Sequence, residues 1–278
     1  MREHRIRRRQ WLRGATTLAL TGLGASLATN ARAGDPDPDP SAEATPAPAL
    51  PRILLAGDSM IAGGLGLFLE RELAADFGYP VLRSGKTSSG LSRPDFFDWM
   101  KQAKAVVADF QPEATIVMFG GNDVQGQYVR RDRAARKANV PKWIRFTDEP
   151  AWSTEYARRV NEFCDIIAPS GQPIFWIGMP VMRPPTFHEK IKRVNVIYQE
   201  QMSARPNATF IDIWALMSNG TGEYAHKIAL GPGEDGKKPK RVRVRAGDGI
   251  HLSPAGAHVV ADHVKAVVHG ALKTTAPK

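Results

Sequence analysis

Cysteine is almost missing from this chain, since Cys164 is the only one among 278 residues. One cysteine excludes an internal disulfide, so the fold must form without covalent cross-links. Cys164 lies within an apolar pattern of helical period, which predicts a buried and unreactive thiol. The remaining composition, 42% hydrophobic and 24% charged, is typical of a globular protein.

A run suited to spanning a membrane is also lacking. The apolar stretch 15–28 is too short and too rich in glycine and threonine. It follows residues 7–13, which resemble a twin-arginine export signal with Trp11 where phenylalanine is usual. The small-x-small pattern at 31–33 is typical of a cleavage site. We therefore expect residues 1–33 to be an export signal directing the protein to the periplasm, with an uncleaved membrane anchor as the alternative.

The formal charge of +10 overstates how basic the rest of the chain is. Residues 1–33 contain seven arginines and one acid, Glu3, so they carry +6 and leave +4 for the remainder. This mild excess does not indicate a nucleic-acid partner. We expect no nucleic acid to bind.

Residues 34–51 alternate Asp with Pro and then Ala with Pro, which predicts an extended linker that cannot bury a core. The folded domain is expected over 52–278. Within it, short apolar runs alternate with helical patterns, and the predicted strands are 53–56, 80–87, 114–119, 173–179 and 208–213. Among the predicted helices, one spans 95–110 with Phe96 on its apolar face, and another begins at residue 154. Repeated βα units predict a three-layer α/β/α sandwich around a five-stranded, mostly parallel, doubly wound sheet.

A serine follows the first predicted strand. The stretch 57–60 reads Gly-Asp-Ser-Met and breaks the apolar run just before an amphipathic segment. Ser59 is therefore expected at the carboxyl edge of the sheet, where open α/β sheets keep their sites. Alone, the motif is equally typical of an ordinary turn.

A histidine that could activate this serine lies near the other end of the chain. Asp248 precedes His251 by three residues, just before the predicted helix cap Ser253. This spacing can place the carboxylate beside the imidazole Nδ1 and leave Nε2 free to accept a proton. The alternative is that both are loop and capping residues.

Attack on a carbonyl also requires donors for the oxyanion that forms. Asn122 follows a predicted strand and two glycines, so its side-chain amide could point across the sheet edge. Gly90 offers a backbone N–H that no side chain obstructs. Each could separately be a plain turn residue.

These pieces together resemble a known family. The stretch 57–60, the glycine at 90, the Gly-Gly-Asn-Asp at 120–123 and the Asp-Gly-Ile-His at 248–251 resemble, in order, the four sequence blocks of the SGNH (GDSL-type) hydrolase superfamily. The stretch 88–99 further resembles an uncharacterised branch of exported bacterial members. The resemblance implies the flavodoxin-like fold of that superfamily, and it implies neither a metal nor an organic cofactor.

The resemblance also implies a role for each motif residue. Ser59 would be the nucleophile, His251 the general base and then acid, and Asp248 the residue that orients the histidine. The backbone amides of Ser59 and Gly90 and the side-chain amide of Asn122 would form the oxyanion hole.

We therefore expect an exported serine esterase that removes O-acyl groups, such as acetyl, from a cell-envelope or extracellular carbohydrate. Two alternatives remain open. One is an O-acyltransferase that uses the same residues on a sugar hydroxyl. The other is a non-catalytic envelope binding protein that has kept the fold.

Two predicted insertions, 124–150 and 218–247, exceed the short loops of such a fold. Each carries a basic stretch, one from Arg130 to Arg136 and the other from Lys237 to Arg245. From residue 240 onward, basic and apolar residues alternate, which predicts a β-hairpin. The stretches either attract an anionic polysaccharide towards the site or are two solvated loops.

Overall fold

The computed structural model describes residues 50–231 and 239–275. The predicted export signal at 1–33 and all of the predicted linker except residues 50 and 51 lie outside the described residues. Within the described ranges, no helix combines the length and the apolar character that crossing a membrane would require.

Parallel strands form the centre of the domain. Along the chain the strands are β1 (Ile53–Gly57), β2 (Val81–Gly85), β3 (Ala114–Met118), β4 (Gln127–Tyr128), β5 (Trp143–Ile144), β6 (Ile174–Ile177), β7 (Ala208–Ile211), β8 (Lys227–Leu230) and β9 (Lys240–Arg243). Five of them form the central sheet in the order β2-β1-β3-β6-β7. Every neighbouring pair is parallel, which confirms the predicted doubly wound sheet.

Helices cover both faces of this sheet. They are α1 (Ser59–Ala62), α2 (Gly64–Phe77), α3 (Trp99–Phe110), α4 (Arg133–Lys137), α5 (Glu149–Ile167), α6 (Pro185–Ser203) and α7 (Pro254–Thr275). α2 packs against α7 in one layer, while α3, α5 and α6 pack in sequence in the other. Right-handed crossovers place these two groups on opposite faces, so the structure is the predicted three-layer sandwich.

An aromatic cluster fills the layer between the sheet and α3, α5 and α6. The ring of Phe119, just after β3, lies 4.9 Å from Trp99 and 5.3 Å from Phe163, both edge-to-face. Trp176 on β6 in turn lies 4.8 Å from Tyr198 on α6. Such tilted ring pairs stabilise a core beyond the area they bury. The opposite layer is aliphatic, with buried Leu65, Leu69, Val260 and Val264.

Two helix starts differ from the sequence predictions, and at α3 a capping residue decides the start. α3 was expected from residue 95, but it begins at Trp99, since the Asp98 side chain accepts the backbone N–H of Lys101 at 3.1 Å. Phe96, expected on its apolar face, is consequently 56% exposed. α5 begins at Glu149 rather than 154.

Both predicted insertions contain small elements of their own. β4 and β5 pair antiparallel across 124–150, with α4 between them. β8 and β9 pair antiparallel within 218–247, which confirms the predicted hairpin.

Arg245, at the end of the second basic stretch, is not on the surface. Its side chain is fully buried and donates a hydrogen bond to the Val181 carbonyl. Burial lowers the pKa of Arg245 to about 10. The expectation that 237–245 presents all its cations to a polymer is therefore wrong at this residue. Lys237 and Lys238 lie outside the described residues.

Two glycine substitutions test the packing at the start of the fold. A Cβ at Gly57 would overlap with the Met118 carbonyl oxygen and the Ile61 side chain, whereas a Cβ at Gly270 meets nothing within 4 Å. We expect Gly57→Ala to lower the free energy of unfolding by about 1–3 kcal/mol. Gly270→Ala, within α7, should raise it by about 0.5–1 kcal/mol. Urea unfolding measures both, and a Gly57→Ala protein as stable as wild type would contradict the packing.

Candidate active site

Ser59 is the first residue of a helix at the carboxyl end of β1. β1 ends at Gly57, and the Asp58 side chain caps α1 by accepting the Met60 backbone N–H at 3.0 Å. The backbone of Asp58 is itself held to β3, because its N–H donates to the Met118 carbonyl at 3.1 Å. The cap and this bond fix the turn, and Ser59 lies at its outer end, partly exposed.

Ser59, His251 and Asp248 form a hydrogen-bonded chain across 192 residues of sequence. The Ser59 Oγ lies 2.9 Å from His251 Nε2. On the other side of the ring, His251 Nδ1 lies 2.6 Å from Asp248 Oδ2. The structure therefore brings together the three residues that the motifs singled out, with the imidazole between hydroxyl and carboxylate.

The Asp248 carboxylate is held by its own loop. Oδ1 accepts the backbone N–H groups of Ile250 at 2.8 Å and His251 at 3.0 Å. Partial burial alone would raise the pKa of Asp248, but the hydrogen bond from the His251 ring and those from the two backbone amides outweigh it. The pKa falls to about 2. Asp248 is therefore ionised throughout the neutral range and can balance a positive imidazole.

The predicted oxyanion donors lie in two adjoining loops. The Asn122 side-chain amide donates to the Ser89 carbonyl at 3.0 Å, which places it beside Gly90 and fixes its orientation. Gly90 is buried against Asp123, whose carboxylate a Cβ at this position would overlap. Among the described residues, the backbone N–H groups of Ser59 and Gly90 donate no hydrogen bond within the chain. Both amides are therefore free to bind a ligand oxygen.

The family assignment rests on a match over most of the domain. A family described as "Protein of unknown function (DUF459)" matches residues 52–267, which include every residue of the site. The chain belongs to the DUF459 family. No curated protein matches the chain.

Solved structures share the fold of this DUF459 chain. A lipase/acylhydrolase from Enterococcus faecalis aligns with a TM-score of 0.54 and 18% identity, over 80% of this chain and 96% of that one. An alpha/beta hydrolase enzyme from the metagenome of Lake Arreo, Spain, aligns with a TM-score of 0.54 and 16% identity, over 79% of this chain and 95% of that one. A GDSL-like lipase from Bacteroides thetaiotaomicron aligns with a TM-score of 0.51 and 13% identity, over 79% of this chain and 88% of that one. The predicted SGNH-type fold is thus confirmed.

Two buried acids that the sequence reasoning did not single out join the site loops in this DUF459 member. The Asp58 carboxylate lies against Gly121, since a Cβ at this glycine would stand 3.9 Å from Oδ2, so the Ser59 turn packs on the loop that carries Asn122. Asp123 accepts the backbone N–H of Ser92 at 2.7 Å and the Tyr156 hydroxyl at 2.8 Å. The only sequence signals for them were the capping position of Asp58 and the place of Asp123 in the third block.

Arginines brace the loop that carries the histidine. Arg183 donates from Nη2 to the Asp248 carbonyl at 2.9 Å, and its backbone N–H donates to the Gly249 carbonyl at 3.1 Å. The buried Arg245 lies 3.4 Å from the same Gly249 carbonyl. The Asp248–His251 turn is therefore fixed from the β6 side of the sheet, which the local sequence around residue 248 could not reveal.

The buried acids should make the stability of the DUF459 domain depend on pH. Burial raises the pKa of Asp58 from its ordinary 3.8 to about 7, and the nearby Asp123 charge adds to the shift. An acid with a raised pKa binds more protons in the folded than in the unfolded chain. Its contribution to the free energy of unfolding is therefore full below about pH 4. That contribution is lost as the pH rises from about 4 to about 7.

Asp58→Asn removes this ionisation and tests the linkage. We expect the fall in unfolding free energy between pH 5 and pH 8 to be smaller in the variant than in wild type by about 1–3 kcal/mol. Urea unfolding at both pH values measures the difference, whatever the absolute stability of the variant. Parallel pH dependences of the two proteins would contradict the raised pKa.

Proposed function

We propose that this protein is a serine hydrolase that cleaves carboxylic esters, with Ser59 as nucleophile. One observation carries the proposal: the Ser59 hydroxyl, the His251 imidazole and the Asp248 carboxylate form one chain with links of 2.9 and 2.6 Å. A serine is a weak nucleophile until an adjacent base accepts its proton. Here the base is in hydrogen-bond reach, and an ionised carboxylate stands behind it.

The reaction begins with attack of Ser59 Oγ on the ester carbonyl carbon. His251 Nε2 takes the hydroxyl proton, and Asp248 stabilises the imidazolium that results. The negative charge on the former carbonyl oxygen is bound by the Ser59 and Gly90 backbone amides and by the Asn122 side-chain amide. When the tetrahedral species collapses, the alcohol leaves with the proton from His251, and the acyl group stays on Ser59.

A water molecule then completes the cycle. His251 removes a proton from the water, which attacks the acyl carbonyl, and the same amides bind the second oxyanion. Collapse returns the proton to Ser59 Oγ and releases a carboxylic acid. One ester and one water thus give one alcohol and one acid.

The substrate we infer is a small O-acyl group, such as acetyl, on a cell-envelope or extracellular carbohydrate. The His251 side chain is 45% exposed. A site whose general base is open to solvent suits a short acyl group carried by a large polymer. The expected export signal at 1–33 supports a substrate outside the cytoplasm.

Replacing the nucleophile should abolish hydrolysis. We expect Ser59→Ala to lower kcat/KM on p-nitrophenyl acetate by about a thousandfold or more, because in the described part of the chain only the Ser59 hydroxyl lies within hydrogen-bond distance of the His251 ring. A fluorophosphonate should label wild type and the control Ser203→Ala, which changes an exposed serine at the end of α6. It should not label Ser59→Ala. Wild-type turnover by Ser59→Ala would rule out the mechanism.

Neutralising the orienting acid should impair the chemical step. Asp248→Asn keeps the size of the side chain but removes the charge that holds the imidazole. We expect kcat on p-nitrophenyl acetate to fall by about 10²–10⁴-fold with little change in KM. Steady-state kinetics at pH 7 measure both constants. A rise in KM with kcat unchanged would assign Asp248 to substrate binding instead.

A further inference from the structure

A cavity in the first insertion is lined almost entirely by cations. It measures about 460 Å³, and its lining residues are Tyr128, Arg130, Arg131, Arg136 and Lys142. No acidic side chain lines this space, which we call the basic cavity. Four positive side chains around one cavity concentrate a field that attracts an anion.

Most of this charge has no counterion in the described part of the chain. Arg130 pairs with Asp98 at 2.8 Å. Arg131 instead donates to the Val140 carbonyl at 3.2 Å, and Arg136 to the Arg131 carbonyl at 3.2 Å. Within the described ranges, neither these two arginines nor Lys142 lies within ion-pair distance of a carboxylate. An anion bound among them would relieve their mutual repulsion.

The cavity is built on regular structure. Tyr128 ends β4, and Lys142 immediately precedes the paired strand β5. The backbone N–H of Val129 donates to the Lys142 carbonyl at 2.9 Å, which extends this pairing. The Asp132 side chain caps α4 by accepting the Ala135 N–H at 2.7 Å, so the helix that carries Arg136 is held as well. The cations therefore need little reordering to bind.

Aromatic rings stand beside the cations. Trp143 is 40% exposed and lies edge-to-face with Tyr128 at 5.3 Å. The Lys142 ammonium lies 5.4 Å from the centre of the Tyr128 ring. Arg93 lies over the Trp143 ring, 5.0 Å from its centre, and the exposed part of the indole offers rigid apolar area with a polar edge. This combination suits a sugar ring that carries a carboxylate.

The basic cavity shares two lining residues with a second cavity that reaches Gly90. Tyr128 and Arg130 also line this second cavity, of about 530 Å³, and its lining includes Gly90 and Leu91. The buried Arg159 joins the two ends, since its guanidinium donates to the Leu91 carbonyl at 2.9 Å and to the Tyr128 carbonyl at 2.6 Å. A polymer bound at the cations can thus extend towards the proposed oxyanion donor.

We propose that the basic cavity is a subsite for the carboxylates of an acidic, uronic-acid glycan. The inference deepens the proposed function and rests on it for the reaction, because the bound glycan would carry the acyl ester that Ser59 cleaves. A nucleic acid would instead need an extended basic stripe. The residues beyond 1–33 carry only +4, which does not favour one.

The test measures binding of oligogalacturonate by calorimetry to proteins that all carry Ser59→Ala, so that no turnover occurs. We expect Arg136→Gln/Lys142→Gln to weaken binding about tenfold at low salt, because two unpaired cations are lost. The matched control, Arg71→Gln/Lys273→Gln, removes two exposed cations from the α2–α7 layer and should change it less than about twofold. Fully methyl-esterified oligogalacturonate, which lacks the charge, should bind the Ser59→Ala protein weakly.

Four outcomes would overturn the subsite. These are no binding of oligogalacturonate, equal loss in the control, loss only in a hairpin variant Lys240→Gln/Arg241→Gln, and tighter binding of a single-stranded oligonucleotide of equal length. Hydrolysis of p-nitrophenyl acetate by the protein with Ser59 intact is measured separately. Glycan binding without this hydrolysis would refute the proposed function alone, and hydrolysis without glycan binding would refute the subsite alone.

Discussion

The site depends on two buried carboxylates that touch no substrate in the proposed mechanism. Asp58 caps the helix that begins with Ser59 and also lies against Gly121. Asp123, two residues further, holds the next loop through Ser92. Burying acids is unfavourable unless hydrogen bonds satisfy their oxygens. Here the hydrogen bonds come largely from the loops themselves. The two acids therefore hold the loops that follow β1, β2 and β3 in fixed positions at the edge of the sheet.

Much of the site could be predicted from sequence because parallel strands end at one edge. Ser59 and Asn122 each follow an apolar run, and the turn from Asp248 to His251 precedes a helix cap, so topology alone brings them close. The network beneath them could not be predicted in the same way. The partners of Asp123 include Tyr156 on α5, 33 residues along the chain from the local motif, and no spacing rule encodes such a contact.

The errors in the fold prediction have the same physical origin. The helical period of apolar residues alone predicted Phe96 within a helix. The Asp98 cap, however, starts α3 at Trp99, after Phe96. The alternation of basic and apolar residues alone predicted Arg245 on an exposed hairpin. Arg245 follows β9, however, and its buried side chain donates a hydrogen bond to the Val181 carbonyl. A local sequence pattern predicts well whether a segment forms a helix or a strand. Where that element begins and ends, and whether the side chains at its ends are buried, depends on contacts with residues elsewhere in the chain.

The span between Ser59 and His251 has a consequence for biosynthesis. The hydroxyl leaves the ribosome early, while its imidazole partner, 192 residues later, emerges only with the last helix of the domain. α7 must also dock on α2, which follows Ser59 directly. Contacts of such long range form late. Under the proposed mechanism, a nascent or truncated chain without His251 thus has no general base for Ser59, and hydrolysis begins only when folding is complete.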